Sequence, residues 1–280
     1  MKILVTGSSG RLASVVVDHL RSLGHKVIGI DIIAHPATDE LIDILDIEAV
    51  ENITKGVDAI VHTAAIHGKH YDLNYPRSVF IDVNIKGTLN LLNAAVKNGV
   101  KKFIYTSTTS IYGSAMNDDT QAVWVDETLR EQPRDIYDIT KQCCEQLCKD
   151  FFYKEKLETA VLRVARFLPE DENLTINHRL YRGLDERDGA HAIQLALIHN
   201  FKEFEIFNIS SGSPFNAEDL HELKFHPLEV ILKYYPEARG IYKSKGWTFP
   251  NSIDRVYRCD KARNAFGYIP KYTFEFLLNS

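Results

Sequence analysis

Tyr137 and Lys141 stand at i and i+4 of a helix-period segment, which puts a phenol and an ammonium on one helical face. A free phenol titrates near pH 10, too high for an efficient base at neutral pH, and a cation beside it stabilises the phenolate. Lys141 is the expected source of that charge. A short distance upstream runs Ile104-Tyr105-Thr106-Ser107-Thr108-Thr109-Ser110-Ile111-Tyr112-Gly113, a hydroxyl-rich stretch leaving an apolar strand. Open parallel sheets bind ligands at the carboxyl ends of their strands, so these hydroxyls are candidates for contact with a substrate or cofactor. A tyrosine and a lysine at this spacing are common on surface helices; position in the chain gives the pair its interest.

That position is defined by a second constellation. Thr6-Gly7-Ser8-Ser9-Gly10-Arg11-Leu12-Ala13 follows the first apolar strand and opens a helix. Gly7 permits a tight turn, Gly10 allows close backbone approach, and a helix N-terminus attracts a pyrophosphate. The candidates for phosphate contact are Gly7, Ser9, Gly10, Arg11 and Leu12, with Ala13 where a third glycine often stands. Asp31 closes the second strand, about 20 residues beyond the turn, where a carboxylate accepts hydrogen bonds from an adenosine ribose and repels a 2'-phosphate. NAD is therefore expected over NADP, with Arg11 and Lys26 as nearby cations working against the preference.

The elements that must position these residues are legible as alternating apolar strands and helix-period segments. Strands are expected at Lys2 to Thr6, Lys26 to Asp31, Ala59 to His62, Lys102 to Ser107 and Thr159 to Val164. Helices are expected at Arg11 to Leu23, Ile47 to Thr54, Ser78 to Asn98 and Tyr137 to Lys154, with Gly24 and Gly99 as left-handed C-caps. The pattern predicts an α/β fold: a Rossmann-type, doubly wound parallel sheet with helices on both faces. Past Phe167 the alternation breaks down, so residues 1–165 are expected to hold the cofactor and the catalytic groups. Residues 166–280 are expected to form a small mixed substrate cap, with some segments returning to the sheet.

Composition narrows the function. With 280 residues, 45% of them hydrophobic and 25% charged, the chain can bury a full core. A formal net charge of -5 without a long Lys/Arg run offers no footprint for nucleic acid. No apolar run approaches the ~20 residues that span a bilayer, and Met1 leads directly into a strand, so a cytoplasmic protein is expected. Cys143, Cys144 and Cys148 crowd one predicted helix, with Cys259 far away; their spacing suits neither a relaxed disulfide nor a metal site, and they read as reduced.

Taken together, TGSSGRLA, HTAA at His62 to Ala65, NIKGT from Asn84, TSTTSIYG and YDITK resemble the extended short-chain dehydrogenase/reductases, the NAD-dependent epimerase/dehydratase family. The resemblance spans residues 1–165, with a weaker echo in Asp260-Lys261-Ala262-Arg263 and Phe266-Gly267-Tyr268-Ile269-Pro270. It implies that Thr108 hydrogen-bonds the reacting oxygen, Tyr137 is the acid/base and Lys141 also touches the nicotinamide ribose. It places Asp43 and Ile44 near adenine, and Thr63, Ala64, Ala65 and Thr106 along the cofactor. Asn84 becomes a positioning residue behind the nicotinamide. A homodimer through the helices at Ser78 to Asn98 and Tyr137 to Lys154 is also implied.

Departures from the family pattern point toward a substrate class. Sugar-nucleotide dehydratases carry Asp-Glu after the catalytic threonine, where this chain has Thr109-Ser110. The interval from Arg163 to Asp188 is short for a nucleotide-sugar site, and the shortened cap is similar to that of uronate dehydrogenases. Arg163, Arg166, Arg179, Arg182 and Arg187 cluster around it, and guanidinium forks suit carboxylates or phosphates. The substrate contacts expected are His67, His70, Thr108, Thr109, Arg166, Arg179 and Arg182, while His62 at its strand end is expected to be structural. The leading expectation is hydride transfer between NAD and a small sugar, sugar acid or polyol. A nucleotide-sugar epimerase comes second. A non-catalytic NAD sensor would lose Tyr137 or Lys141, and both are present.

Overall fold

The computed structural model of the chain describes residues 1–67 and 73–280. Its centre is a seven-stranded parallel sheet built from β1 (Lys2–Thr6), β2 (Lys26–Asp31), β3 (Glu40–Leu41), β4 (Ala59–His62), β5 (Lys102–Thr108), β7 (Glu158–Val164) and β8 (Glu205–Ile209), in the order β3-β2-β1-β4-β5-β7-β8. β-Branched runs such as Ile3-Leu4-Val5 are buried on both sides, as a sheet covered on both faces requires. The chain moves outward from β1 through β2 and β3, then returns to add β4 on the other side of β1. That reversal opens a crevice beyond the carboxyl ends of β1 and β4.

Helices cover both faces. On one side α1 (Arg11–Ser22) packs against α6 (Glu186–Ile198), joining Val16, Val17 and Leu20 with Ala192, Ile193 and Ala196 in one core. On the other side lie α2 (Ile47–Ile53), the long helix α3 and α4 (Ile136–Glu155), whose Val50, Leu91, Leu92, Cys144 and Cys148 pack on Leu4, Ile60 and Phe103. α3 is not uniform: Arg77–Phe80 and Gly87–Lys97 are α-helical, and Ile81–Lys86 between them is a π-helical segment. Such a segment carries one extra residue per turn and is frequent where a side chain must be re-aimed at a functional site.

The five strands and four helices expected from periodicity are present with boundaries shifted by a residue or two. Three elements were not marked in the sequence: β8 at the edge of the sheet, the short β3, and a two-stranded parallel ribbon of β6 (Val123–Val125) with β9 (Arg255–Tyr257). These strands are short or lie in a loop-like sequence context, where alternation has too few residues to register. Residues 186–209 therefore pack with the sheet. α5 (Glu172–Arg179) and α7 (Leu220–Phe225), α8 (Pro227–Tyr234), α9 (Ala238–Lys245) and α11 (Phe274–Leu278) enclose a separate apolar core, while α10 (Asp260–Phe266) packs Phe266 against β8. Ile176, Phe215, Leu223, Ile231, Tyr242 and Phe274 fill the separate core, with Tyr242 stacked on Phe249 at 3.8 Å.

Candidate active site

A cleft of about 510 Å³ runs from the glycine turn to the cap. Gly7, Gly10, Arg11, Leu12 and Ala13 form one end, Thr106, Thr108, Tyr137 and Lys141 the middle, and Arg166, Arg182, Arg255 and Tyr257 the other.

The glycine end is shaped for close approach. Gly7 has φ +69°, and a Cβ there would lie 2.7 Å from Ala64 Cα, so only glycine fits both the conformation and the space. Gly10 caps α1 without a side chain to bond the free N–H groups of the first turn, which also carries no acid. These donors and their helix dipole are open to an anion. Further along, Thr106 Oγ1 is buried in the cleft wall without a partner. A dinucleotide fits this set: its pyrophosphate would lie on the first turn of α1, and a polar group beyond it would satisfy the threonine. Asp31 sits beside the turn, its Oδ2 accepting from Ser9 N at 3.0 Å and Ser9 Oγ at 2.8 Å. The expected adenine neighbours lie outside the cleft lining: Asp43 is exposed and bonds Leu45 N, and Ile44 is packed in the core with its carbonyl accepting from Asn90.

Tyr137, on the first turn of α4, is buried at the cleft wall. Burial pushes its phenol well above the ordinary range, the Thr108 hydrogen bond works in the opposite direction, and the carboxylates of Asp138 and Asp135 add to the rise. The phenol is thus held as an acid beside Thr108. Lys141 is also buried, and burial lowers its pKa to about 8. Its ammonium donates to Thr106 O at 2.7 Å and lies 4.6 Å from the Tyr105 ring centroid. The charge expected to favour the phenolate is bonded to a backbone carbonyl in this arrangement, and the groups that shift Tyr137 are Thr108, Asp138 and Asp135.

Asn84, Ser107, Glu145 and Arg163 hold this wall together. Asn84, within the π-helical segment, accepts from Ile66 N at 2.7 Å and donates to Ile66 O at 3.1 Å and Thr140 Oγ1 at 2.9 Å. It ties the loop after β4 to the catalytic helix from behind and does not line the cleft. Ser107 Oγ donates to Glu145 Oε1 at 2.5 Å, and Glu145 in turn receives Arg163 at 3.0 and 2.7 Å. Sequence reading missed Glu145, although it repeats the helical spacing of Tyr137 and Lys141 by one more turn.

The histidines separate as their strand positions suggest. His62 is buried between Thr6 Oγ1 at 2.7 Å and Thr88 Oγ1 at 2.9 Å, and burial holds its pKa down at about 3. His67 lines the cleft with its ring 5.0 Å from that of Tyr137. His70 lies outside the described residues. Thr63 and Ala65 line the cleft, Ala64 faces Gly7, and Thr109 is buried in the wall with Oγ1 near Val164 O. All four cysteines are free.

The arginines divide sharply. Arg179 does not line the main cleft: it is buried, paired with Asp185 at 3.1 Å, and lines a smaller pocket that adjoins the cleft at Arg11 and Arg166. Arg163 is consumed by Glu145 and Glu131, and Arg187 by Asp185 and the Tyr272 ring. Arg166 and Arg182 do line the cleft. Arg134 and Arg255 join them from segments where the sequence offered no reason to look.

Comparison with known proteins gives the same reading. Residues 3–181 match the model of the NAD dependent epimerase/dehydratase family. The chain is 27% identical over 179 residues to a uronate dehydrogenase of Pseudomonas syringae pv. tomato, covering 61% of this chain and 62% of that one. It is 32% identical over 161 residues to GDP-mannose 3,5-epimerase of Arabidopsis thaliana, covering 54% and 43%. It thus spans less than two thirds of the length of either relative. Among solved structures, UDP-N-acetylglucosamine 4-epimerase from Bacillus cereus superposes with a TM-score of 0.72 at 27% identity, over 99% of this chain and 96% of that one. A short-chain dehydrogenase/reductase superfamily protein from Agrobacterium tumefaciens with bound NAD gives 0.75 at 22% identity, over 100% and 95%. With the match extending over more than half of its residues, the chain belongs to the NAD-dependent epimerase/dehydratase family, the extended short-chain dehydrogenase/reductases, whose cofactor is NAD.

Proposed function

We propose that this protein is an NAD-dependent oxidoreductase that transfers a hydride between nicotinamide and a hydroxyl or carbonyl carbon of a small, anionic sugar derivative, a sugar acid first among them. One observation carries the reading. Among the described residues, the cleft is lined by Arg11, Arg134, Lys141, Arg166, Arg182 and Arg255 and by no Asp or Glu; Glu186, Asp138, Glu170 and Asp254 pair with Arg11, Arg134, Arg166 and Arg255 from outside the lining, so the cations outnumber the acids that reach them. A cleft of one sign focuses the field and concentrates ligands of the other. Glycine-end cations answer to the pyrophosphate, which leaves the cap-end guanidinium groups for the substrate.

Bound NAD supplies the hydride acceptor. Tyr137 moves the proton at the reacting oxygen, Thr108 hydrogen-bonds that oxygen, and Lys141 orients the wall through Thr106 while lying in reach of a ribose. His67 and Thr109 flank the substrate. Asp31 selects NAD over NADP. In this reading residues 1–165 hold the cofactor and the acid/base, and residues 166–280 supply the cap, with 186–209 returning to the sheet. We take the protein to be cytoplasmic, which its free thiols support. No helix among the described residues is long and apolar enough to cross a membrane. We also take it to be a homodimer through α3 and α4, where Ile81 and Ile139 are exposed; light scattering tests that assembly.

The deciding experiment is an NAD-reduction screen over free sugars, sugar acids and polyols beside nucleotide sugars. NADH accumulation on a sugar acid is the expected result. The second reading, a nucleotide-sugar epimerase, is favoured by the suitability of paired guanidinium groups for a diphosphate and by the epimerases among its relatives. Turnover of a nucleotide sugar without net NADH would establish it in place of the first.

A further inference from the structure

Ser107 in β5 and Arg163 in β7 are register partners on neighbouring strands. Phe103, Tyr105 and Val161 on the same face of these strands pack under α4, and Ser107 and Arg163 continue that face to the point where both bond Glu145. Its carboxylate is engaged on both oxygens: Oε1 accepts from Ser107 Oγ at 2.5 Å and Arg163 Nε at 3.0 Å, and Oε2 from Arg163 Nη2 at 2.7 Å. Burying such a pair is a poor route to stability, because desolvation offsets most of the attraction and apolar groups of the same volume often hold as well. Its place in the wall points to another use. Glu145 stands one helical turn beyond Lys141, as Lys141 stands one turn beyond Tyr137. Ser107 lies between Thr106, whose carbonyl takes the Lys141 ammonium, and Thr108, which bonds Tyr137. Burial opposes the charge on Lys141, and most of its neighbours are neutral. On α4 the Tyr137 phenol and the thiols of Cys144 and Cys148 are pushed up by burial, on β5 so is the Tyr105 phenol, and on β4 His62 is held neutral. His67 stands further off, against the Tyr137 ring. Glu145 alone of the groups acting on Lys141 is a carboxylate, with the Arg163 cation beyond it on β7.

We infer that Glu145 is a positioning residue of the acid/base wall: with Arg163 as counterion it supplies the carboxylate that keeps Lys141 an ammonium, and through Ser107 it fixes the strand end that presents the Thr106 carbonyl and the Thr108 hydroxyl. The inference deepens the proposed function and rests on it for what the wall does. Glu145 does not line the cleft, so it acts through these neighbours. Arg163 is held from its other side by Glu131 and by the Tyr112 ring at 5.0 Å, which anchors the carboxylate to β7 as well as to β5. Charge gives the pair a signature that packing alone would not. Removing the carboxylate leaves Lys141 facing burial and the Arg163 cation; removing Arg163 leaves it facing an uncompensated carboxylate. Both substitutions break the same contact, yet they move the Lys141 titration in opposite directions.

Carbon-13 NMR of the whole chain labelled at lysine Cε reads the Lys141 titration without cofactor or substrate, with Lys141→Arg assigning the signal. Glu145→Gln is expected to move the midpoint down from about 8 by about one pH unit or more, and Arg163→Met to move it up by a similar amount. On the substrate that the NAD screen identifies, Glu145→Gln is expected to lower kcat by about tenfold or more with NAD affinity unchanged. The double variant Glu145→Gln/Arg163→Met replaces the ion pair by neutral groups and so leaves no unpaired charge in the core. It is expected to fold, with the midpoint still below that of the unaltered protein and kcat still reduced. If either single variant does not fold by circular dichroism, the double variant carries the test. An unmoved midpoint in Glu145→Gln, a shift of the same sign in both single variants, or a double variant with wild-type midpoint and kcat would each overturn the inference and leave the pair as a joint between helix and sheet. Because the titration needs no substrate, these midpoints strike the inference alone, whereas NAD reduction on no substrate by the unaltered protein would strike the proposed function itself.

Discussion

The middle of the cleft and its cap end handle charge in opposite ways. Around Tyr137 and Lys141, burial disfavours the ionised forms of both groups: it brings the Lys141 ammonium to about 8, near working pH, and holds Tyr137 as the neutral phenol, a proton donor. At the cap end Arg182 and Arg255 carry guanidinium groups that stay charged at any working pH. The first region can exchange a proton; the second can only attract and orient. The difference teaches that pH dependence of turnover should originate at the α4 wall, and dependence on salt and on substrate charge at β9 and its neighbours.

The largest expected effect tests the proton-exchanging side. Tyr137→Phe should lower kcat by about two to four orders of magnitude and leave NAD affinity nearly unchanged, because the ring still packs and only the oxygen is lost. Wild-type turnover in that variant, measured under saturating NAD, would move the acid/base role to another group and erase the contrast.

A second comparison sets a buried arginine against an exposed one. Arg163, with 2% of its side chain exposed, is held by Glu145, whose side chain is 1% exposed; Arg187 is 52% exposed and pairs with Asp185. Arg163→Met leaves Glu145 without its ion-pair partner in the core and should cost about 3–5 kcal/mol in urea unfolding. Arg187→Ala should cost about 0–1 kcal/mol. Equal costs would show that burial does not separate the two classes of guanidinium.

What could be read in the sequence follows the same division. The glycine turn, Asp31, and the spacing of Tyr137 and Lys141 are local patterns, each set by a strand end or a helical turn, and their elements appear where periodicity puts them. The arginines are indistinguishable in sequence because their fates depend on which acid the fold brings near. Asp185 caps α6 and captures both Arg179 and Arg187, and Glu145 reaches Arg163 only because α4 crosses β7. Arg255 and Tyr257 show the limit most clearly: a three-residue strand in a turn-rich tail has too little alternation to reveal which face meets the cleft.

pH sharpens the comparison through His62. Its folded pKa of about 3 lies below the unfolded value near 6.5, so the unfolded chain binds the extra proton in the window between them. Stability contributed by neutral His62 is complete above about pH 6.5 and is lost as pH falls toward 3. His62→Gln should therefore flatten the fall of unfolding free energy between pH 6 and pH 4 relative to wild type; parallel curves would mean that other groups govern acid lability. The smallest effect concerns the glycine end. Asp31→Asn should reduce the preference for NAD over NADP by about tenfold, read from calorimetric affinities for both cofactors, with no change in anion binding at the cap.

The π-helical segment of α3 has a consequence for how this wall could change over evolutionary time. A π turn is one residue of surplus winding, and deleting a single residue between Ile81 and Lys86 would let the helix relax to regular winding without interrupting it. Six residues of π winding turn the chain about as far as five of α winding, so the two flanks would keep their facing and Thr88 would still meet His62. Asn84 lies inside the turn that tightens, so its bonds to Ile66 and Thr140 are the ones displaced, and the latch between the β4 loop and the catalytic helix would open. The gene could carry such a deletion with the hydrophobic core largely preserved and the catalytic wall unfastened, which makes this short stretch a site where loss of activity is cheaper to reach than loss of fold.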